Sequence, residues 1–247
     1  MRKYVKYSMI ILLLLSVGIA AVCVVYLFLF APGDSDLSGE WIAELEMTGQ
    51  AAAMAYGWLK DMEGVSVSLE DVEAHMQDLT VRVNLTMEQT KGPEGIFRCI
   101  VLPESYEACN QAAYEAFAVV FRELAAERLR MAGYEGSTEQ EAVEALIAET
   151  FGMSAVSYLM TCGPALLPSL EMLQAQYNGS GTYETMEGVL IRQFEAEGSE
   201  VIREERYIRE DSQLVLVEER GAAASGCQYP LLYKLKQERD QENSTEK

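Results

Sequence analysis

An uncharged apolar run near the N-terminus constrains this chain more than any other feature of its sequence. Residues 9–31 read MIILLLLSVGIAAVCVVYLFLFA, without a single charged side chain. As an α-helix this run would be roughly 35 Å long, enough to cross a hydrocarbon core of about 30 Å. We therefore predict a transmembrane helix over 9–31, with the rest of the chain folding on one side of the membrane.

The charges that flank the apolar run predict its orientation. Arg2, Lys3 and Lys6 precede it, whereas Asp34 and Asp36 follow it. Because basic residues are retained on the cytoplasmic side, the N-terminus is expected in the cytoplasm and the C-terminal domain outside. The predicted location is the cell membrane, crossed once, and the lipid bilayer is the partner of this helix.

A cleaved signal peptide is the alternative interpretation of the same run. Signal peptides have an apolar stretch of about 7–15 residues that ends in a small-x-small cleavage site. The run here is longer, and Leu29 stands where a small residue is needed before Ala31. We therefore expect an uncleaved anchor, so that the mature protein keeps its N-terminus.

Five segments follow from this interpretation. They are a basic cytoplasmic head (1–8), the transmembrane helix (9–31), a polar tether (32–38), an extracytoplasmic domain (39–237) and a polar tail (238–247). The domain is acidic: the chain carries a net charge of −20, with 39 acidic and 19 basic residues. Such a surface repels phosphate backbones, so nucleic acid is not expected as a partner.

Period-two alternation predicts eight strands in the domain. The clearest is Leu79–Met87, whose apolar and polar residues alternate throughout; the turn at Gly92–Gly95 and the strand Ile96–Leu102 complete an antiparallel hairpin. The other predicted strands are Glu40–Met47, Gly181–Met186, Val189–Phe194, Val201–Arg209, Gln213–Glu219 and Leu231–Gln237. Eight closely spaced antiparallel strands favour an up-and-down barrel or a curled sheet, and hence an α+β domain.

Helical periodicity separates the third strand from the fourth. Pro103–Met131 is predicted as one long helix that ends at Gly133, and further helices follow to about Ala175, so 103–175 is expected to pack as one helical insertion. Thr48 is expected to cap an earlier helix that runs to about Met62. Ser68 and Thr138 each begin a sequence typical of a capping box.

Two stretches resemble a known family. Gly39-Glu-Trp41 on the first strand is similar to the opening Gly-x-Trp of lipocalin-like (calycin-type) domains, and the closing stretch from Gly181 to Lys234 resembles uncharacterised secreted or membrane-anchored lipocalin-like domains of Gram-positive bacteria. The resemblance implies a barrel and a ligand cavity, and it brings no catalytic residues. The long insertion departs from a plain lipocalin and can fill or cap the space of a ligand.

The sequence offers no catalytic constellation. His75 is the sole histidine, which excludes a Ser-His-Asp triad and a multi-histidine zinc site, and no phosphate-binding loop or nucleophile elbow is present. We expect no enzyme activity, no cofactor and no metal; a carboxylate-based hydrolase is the least favoured alternative. Loss of His75 or of any single strand acid should be tolerated, because Glu40, Glu44 and Glu46 are expected to point to water.

The cysteines leave two alternatives open. Cys99, Cys109, Cys162 and Cys227 can form two disulfides outside the cytoplasm, or they can serve as small core residues.

The function predicted for the domain is the binding of a small apolar ligand or of an envelope component. The alternative is a structural or protein-interaction domain without a ligand cavity. Six residues are predicted to face the cavity or core, namely Trp41, Leu45, Val83, Leu85, Leu214 and Leu216.

Overall fold

Eight strands close into an antiparallel barrel in the computed structural model of this chain, which describes residues 36–60, 66–195, 201–220 and 225–236. Each strand pairs with the next one along the chain, and β8 pairs with β1. The strands are β1 (Gly39–Glu46), β2 (Thr80–Lys91), β3 (Glu94–Val101), β4 (Gly179–Met186), β5 (Val189–Phe194), β6 (Val201–Glu210), β7 (Gln213–Arg220) and β8 (Leu231–Leu235).

The alternation in the sequence explains how the barrel forms. On β2 the side chains of Val81, Val83, Leu85 and Met87 are buried, and those between them are half-buried or exposed. Because successive strand side chains point to opposite faces, every strand can turn one face inward. The predicted eight-stranded antiparallel barrel is confirmed, and so is the antiparallel pairing of β2 with β3.

Six helices lie in two of the barrel's connections. Between β1 and β2 are α1 (Thr48–Leu59) and α2 (Leu69–His75); between β3 and β4 are α3 (Pro103–Met131), α4 (Gln140–Phe151), α5 (Ala155–Cys162) and α6 (Leu170–Tyr177). We call α3 to α6 the insert. The bounds predicted for the long helix are those of α3, and Gly133, with a φ of 76°, follows its end.

Two of the predicted helix caps are wrong. Ser68 does form a capping box with Asp71 at the start of α2. Thr48, in contrast, is the first residue of α1, and its hydroxyl accepts a hydrogen bond from the backbone N–H of Leu79. The hydroxyl of Thr138 accepts from Arg130, while Glu139 precedes α4 without a side-chain cap. In both cases a tertiary contact takes the hydroxyl that the local pattern assigned to the helix.

The insert is held together mainly around Glu144. Its carboxylate accepts from Arg122 on α3 at 2.8 Å and from the backbone N–H of Ala155 at 2.9 Å, so one side chain joins α3, α4 and α5. Rings continue the contact, because Phe121 and Phe151 both stack on Tyr158. The prediction of one packed helical block holds for α3 to α5, whereas α6 packs against β3.

The helices and the first and last described residues belong to opposite ends of the barrel. The strand register puts residue 39 of β1 beside the β2–β3 turn at residues 92–93, and the turns at 187–188 and 211–212 lie at the same end. Strand β8 also finishes there, with Leu235 paired to Trp41. We call this the turn end. All six helices connect strands at the other end, the helical end.

The predicted membrane anchor lies outside the described residues, as do the start of the tether and the polar tail. Within the described ranges, no single helix has the length and apolar character needed to cross a bilayer; only the bent pair α4 and α5, taken together, meets that test.

Candidate functional site

The barrel interior contains the residues that the sequence singled out. Trp41 and Leu45 on β1, Val83 and Leu85 on β2, and Leu214 and Leu216 on β7 are all at most 1% exposed and belong to one core. Their role as the lining of a ligand cavity stays a prediction, since other bulky side chains, among them Tyr233, Leu190 and Phe97, are buried with them.

Trp41 is fixed by two polar contacts inside this core. Its indole N–H donates to the backbone carbonyl of Leu37 at 2.9 Å. The guanidinium of Arg209, at the end of β6, lies 4.7 Å from the ring centroid, in the range of a cation–π contact. The ring therefore joins the first strand to the sixth near the turn end, which is a structural role.

A buried ion pair joins two neighbouring strands inside the barrel. Arg192 on β5 donates twice to Glu205 on β6, from Nε at 2.6 Å and from Nη2 at 2.7 Å. Their side chains are 4% and 0% exposed. The hydroxyl of Tyr229 donates to the same carboxylate at 2.6 Å. Such a bidentate arrangement, with a further hydrogen bond to the carboxylate, is the geometry in which a buried charge pair can offset its desolvation.

Aromatic rings and the Glu205 carboxylate surround the guanidinium of Arg192. The guanidinium of Arg192 lies 5.4 Å from the Phe97 ring and 5.3 Å from the Phe194 ring. Burial opposes the charge of Arg192, but the Glu205 carboxylate outweighs burial and raises the pKa of the guanidinium. Burial, followed by the same carboxylate, raises the pKa of Tyr229, so its hydroxyl keeps the proton that it donates.

The four cysteines among the described residues are free. Cys99 and Cys109 are buried, Cys162 is exposed and Cys227 is half-buried, so neither of the two disulfides considered above forms. Burial raises the pKa of Cys99 and raises the pKa of Cys109 to about 11, which leaves both thiols protonated and unreactive. They serve as core residues.

Sequence reasoning missed Arg192 and Glu205, although the strand period carried a signal. Arg192 alternates in phase with Leu190 and Phe194, and Glu205 is in phase with Tyr207; these apolar neighbours are all buried. Period-two parity therefore places both charges on the inner face. The expectation that any strand acid can be lost without consequence does not extend to Glu205.

The acidic and metal-ligating side chains of the described residues are dispersed, so they do not form a metal site. Glu205 is the one buried acid among them, and it is paired with Arg192. No group of three or more His, Cys, Asp and Glu side chains among these residues can hold a metal ion. His75 lies on an exposed helix face, where its ring faces Glu123 at 3.5 Å.

An apolar groove opens on the surface of the insert. It lies between α3 and α4 and has a volume of about 320 Å³, at the lower end of the range for small-molecule sites. Its lining is mostly apolar and consists of Phe121, Ala125, Arg128, Leu129, Ala132, Val143, Leu146, Ile147, Thr150 and Phe151. Helical periodicity predicted the two helices, but not the space between them.

Two polar side chains interrupt the lining of this groove. Arg128 comes from the last turns of α3, and Thr150 comes from the end of α4. The neighbouring arginine Arg122 is paired with Glu144, whereas no ion pair or side-chain hydrogen bond within the described residues involves Arg128. The groove therefore combines an apolar surface with one unpaired positive charge.

Two further clefts lie on the outer wall of the barrel. One, of about 290 Å³, lies on the outer face of β3, β4 and β5, and the other, of about 300 Å³, on that of β2, β3 and β4. Polar and charged side chains form most of both linings, and Ile96 lines both clefts. These clefts do not offer an apolar ligand a continuous surface.

The fold defines the chain as a closed, eight-stranded antiparallel barrel with a helical end, which is consistent with a lipocalin-like fold. No protein-family model, no curated protein and no solved structure matches it.

Proposed function

We propose that this chain is a noncatalytic binding module, held outside the cytoplasm by a single membrane anchor, and that it binds a small apolar ligand in the groove between α3 and α4. The observation that carries the proposal is the groove itself: about 320 Å³, with eight apolar residues among its ten lining positions. The finer family assignment, a lipocalin-like domain of Gram-positive bacteria, is part of the proposal and rests on Gly39-Glu-Trp41 and the barrel.

The contents of the barrel favour the groove over the barrel interior as the binding site. A lipocalin-like ligand would need space inside the barrel, where the Arg192–Glu205 pair and its aromatic neighbours are buried. Displacing that pair would expose two charges to an apolar ligand, at a large desolvation cost. An open apolar groove on the insert requires no such rearrangement.

The position of the termini favours a ligand from the extracytoplasmic space. A tether over 32–38 leads into β1 at the turn end, while the insert belongs to the helical end. The groove then belongs to the end of the barrel opposite the one at which the proposed anchor enters.

A neutral apolar dye tests the proposal. The full chain in phosphatidylcholine nanodiscs is titrated with N-phenyl-1-naphthylamine, and empty nanodiscs provide the background. Leu146→Asn places an amide in the groove and should weaken binding about tenfold, whereas Ala148→Asn, on the exposed face of the same helix, should not. Equal affinities for both variants, or no binding above background, would contradict the proposal.

The second candidate is an interaction domain without a ligand. Exposed methionines on the insert favour it: Met131, Met153 and Met160 are 66%, 37% and 45% exposed, and methionine-rich surfaces adapt to protein partners. Under this alternative the dye does not bind, and the envelope component that binds is a protein.

A further inference from the structure

Arg128 stands out among the groove residues because it is a cation in a strongly acidic protein and lacks a partner. The chain has 39 acidic residues, yet none of those described pairs with this guanidinium. Its position near the C-terminus of α3 gives it a favourable interaction with the helix dipole, but that interaction does not require a place in the groove wall.

We infer that the ligand is a single-chain amphiphile with an anionic head group, such as a fatty-acid carboxylate, whose chain fills the groove and whose head pairs with Arg128. This inference rests on the proposed function and adds the chemical class of the ligand. A guanidinium binds a carboxylate with two parallel hydrogen bonds, and the Thr150 hydroxyl, which also lines the groove, provides a further donor.

The geometry favours a free amphiphile over a lipid that remains in a bilayer. The groove is small, so it accommodates one short chain and not the two chains of a phospholipid. It also belongs to the helical end, away from the proposed anchor, and the net charge of −20 repels an anionic membrane surface. One local cation can still bind one small anion, because the interaction acts at contact distance.

Competition between ligands of equal chain length tests the head-group preference. Decanoate, decanol and decyltrimethylammonium are compared as competitors of N-phenyl-1-naphthylamine on the full chain in phosphatidylcholine nanodiscs. Decanoate should compete roughly threefold to tenfold better than decanol, as expected for a partly solvated charge pair, and the cation should compete worst. Arg128→Gln should abolish the preference, and Arg128→Lys should retain part of it.

Arg130→Gln is the matched control, because Arg130 lies one half-turn away on α3 and does not line the groove. Equal competition by decanoate and decanol, unchanged in Arg128→Gln, would overturn the inference and leave the apolar site intact. If the dye does not bind at all, the proposed function is contradicted as well. Displacement of the dye by phosphatidylglycerol vesicles but not by decanoate would also overturn the inference, because the ligand of the groove would then be a bilayer lipid.

Discussion

The buried pair of Arg192 and Glu205 is the residue-scale feature on which the barrel interior depends most. Two charged side chains occupy inward positions, whereas the other buried positions of these strands hold leucine, phenylalanine and tyrosine. Removing one partner leaves the other charge buried and unpaired, which is far more costly than losing a surface ion pair.

Glu205→Gln should therefore lower the free energy of unfolding by about 3–5 kcal/mol. Urea denaturation provides the measurement. Glu218→Gln is the control on the neighbouring strand, since the Arg206–Glu218 pair is more than half exposed on both sides; it should change stability by less than about 0.5 kcal/mol. The double variant Arg192→Met with Glu205→Leu should be more stable than Glu205→Gln. Equal losses of stability in Glu205→Gln and Glu218→Gln would contradict the view that the buried pair stabilises the barrel more than the exposed one.

Trp41 provides a second prediction at this scale. Its side chain is fully buried, and truncation leaves a large cavity beside Leu37 and Arg209. Trp41→Ala should cost about 3–5 kcal/mol, and Glu44→Ala, exposed on the same strand, less than about 0.5 kcal/mol. Thermal unfolding of both variants provides the measurement. A larger loss of stability in Glu44→Ala than in Trp41→Ala would contradict the assignment of Trp41 to the inner face and Glu44 to the outer face.

Glu40 differs from its neighbours Glu44 and Glu46, which are exposed as expected. Its carboxylate accepts from Lys236 at 2.7 Å and from Asn84 at 2.8 Å. The hydrogen bond from Lys236 lowers the pKa of Glu40. The period of the strand predicted the outward face correctly, but not this bond, because Lys236 lies at the far end of the chain.

At the scale of secondary-structure elements, Glu144 links three helices and makes the insert sensitive to acid. Burial raises its pKa, but the hydrogen bonds from Arg122 and Ala155 outweigh that effect and lower the pKa below the ordinary value of 4.5. A carboxyl with a lowered folded-state pKa stabilises the fold above its unfolded value and loses that contribution as the pH falls through the folded value.

The insert should therefore lose stability as the pH falls below about 4.5, and Glu144→Gln should remove this part of the pH dependence. The expected cost at neutral pH is about 1 kcal/mol, because the pair is partly exposed. Hydrogen exchange of α4 and α5 between pH 3 and 7 measures the effect. Glu149 is exposed on the same helix, so Glu149→Gln should keep the pH dependence of the parent protein. The same change of pH dependence in Glu149→Gln and Glu144→Gln would contradict the role of Glu144.

Sequence patterns predicted most elements because the period of a strand or a helix is local. The bounds of α3 and the pairing of β2 with β3 follow from alternation and turn residues. The groove was not predictable in this way, since it depends on the space that α3 and α4 leave between them. Nor was the Arg192–Glu205 pair, because Arg192 lies opposite Arg203 and reaches Glu205 only diagonally.

At the scale of the whole molecule, the proposed topology predicts which thiol reacts from outside the cell. Cys162 is exposed and free at the end of α5, whereas Cys109 is buried. A membrane-impermeant maleimide added to intact cells should label the parent chain and should label Cys162→Ser much less, while Cys109→Ser should behave as the parent. Labelling of Cys162 that requires prior lysis would contradict an extracytoplasmic domain.

The measurement that tests the central claim most directly is methyl NMR of the full chain in nanodiscs during titration with decanoate. The account predicts shifts confined to the groove, at Leu129, Val143 and Ile147, with the barrel methyls of Leu45 and Val83 unchanged. Shifts at the barrel methyls with none at the groove would place the ligand inside the barrel and contradict the account.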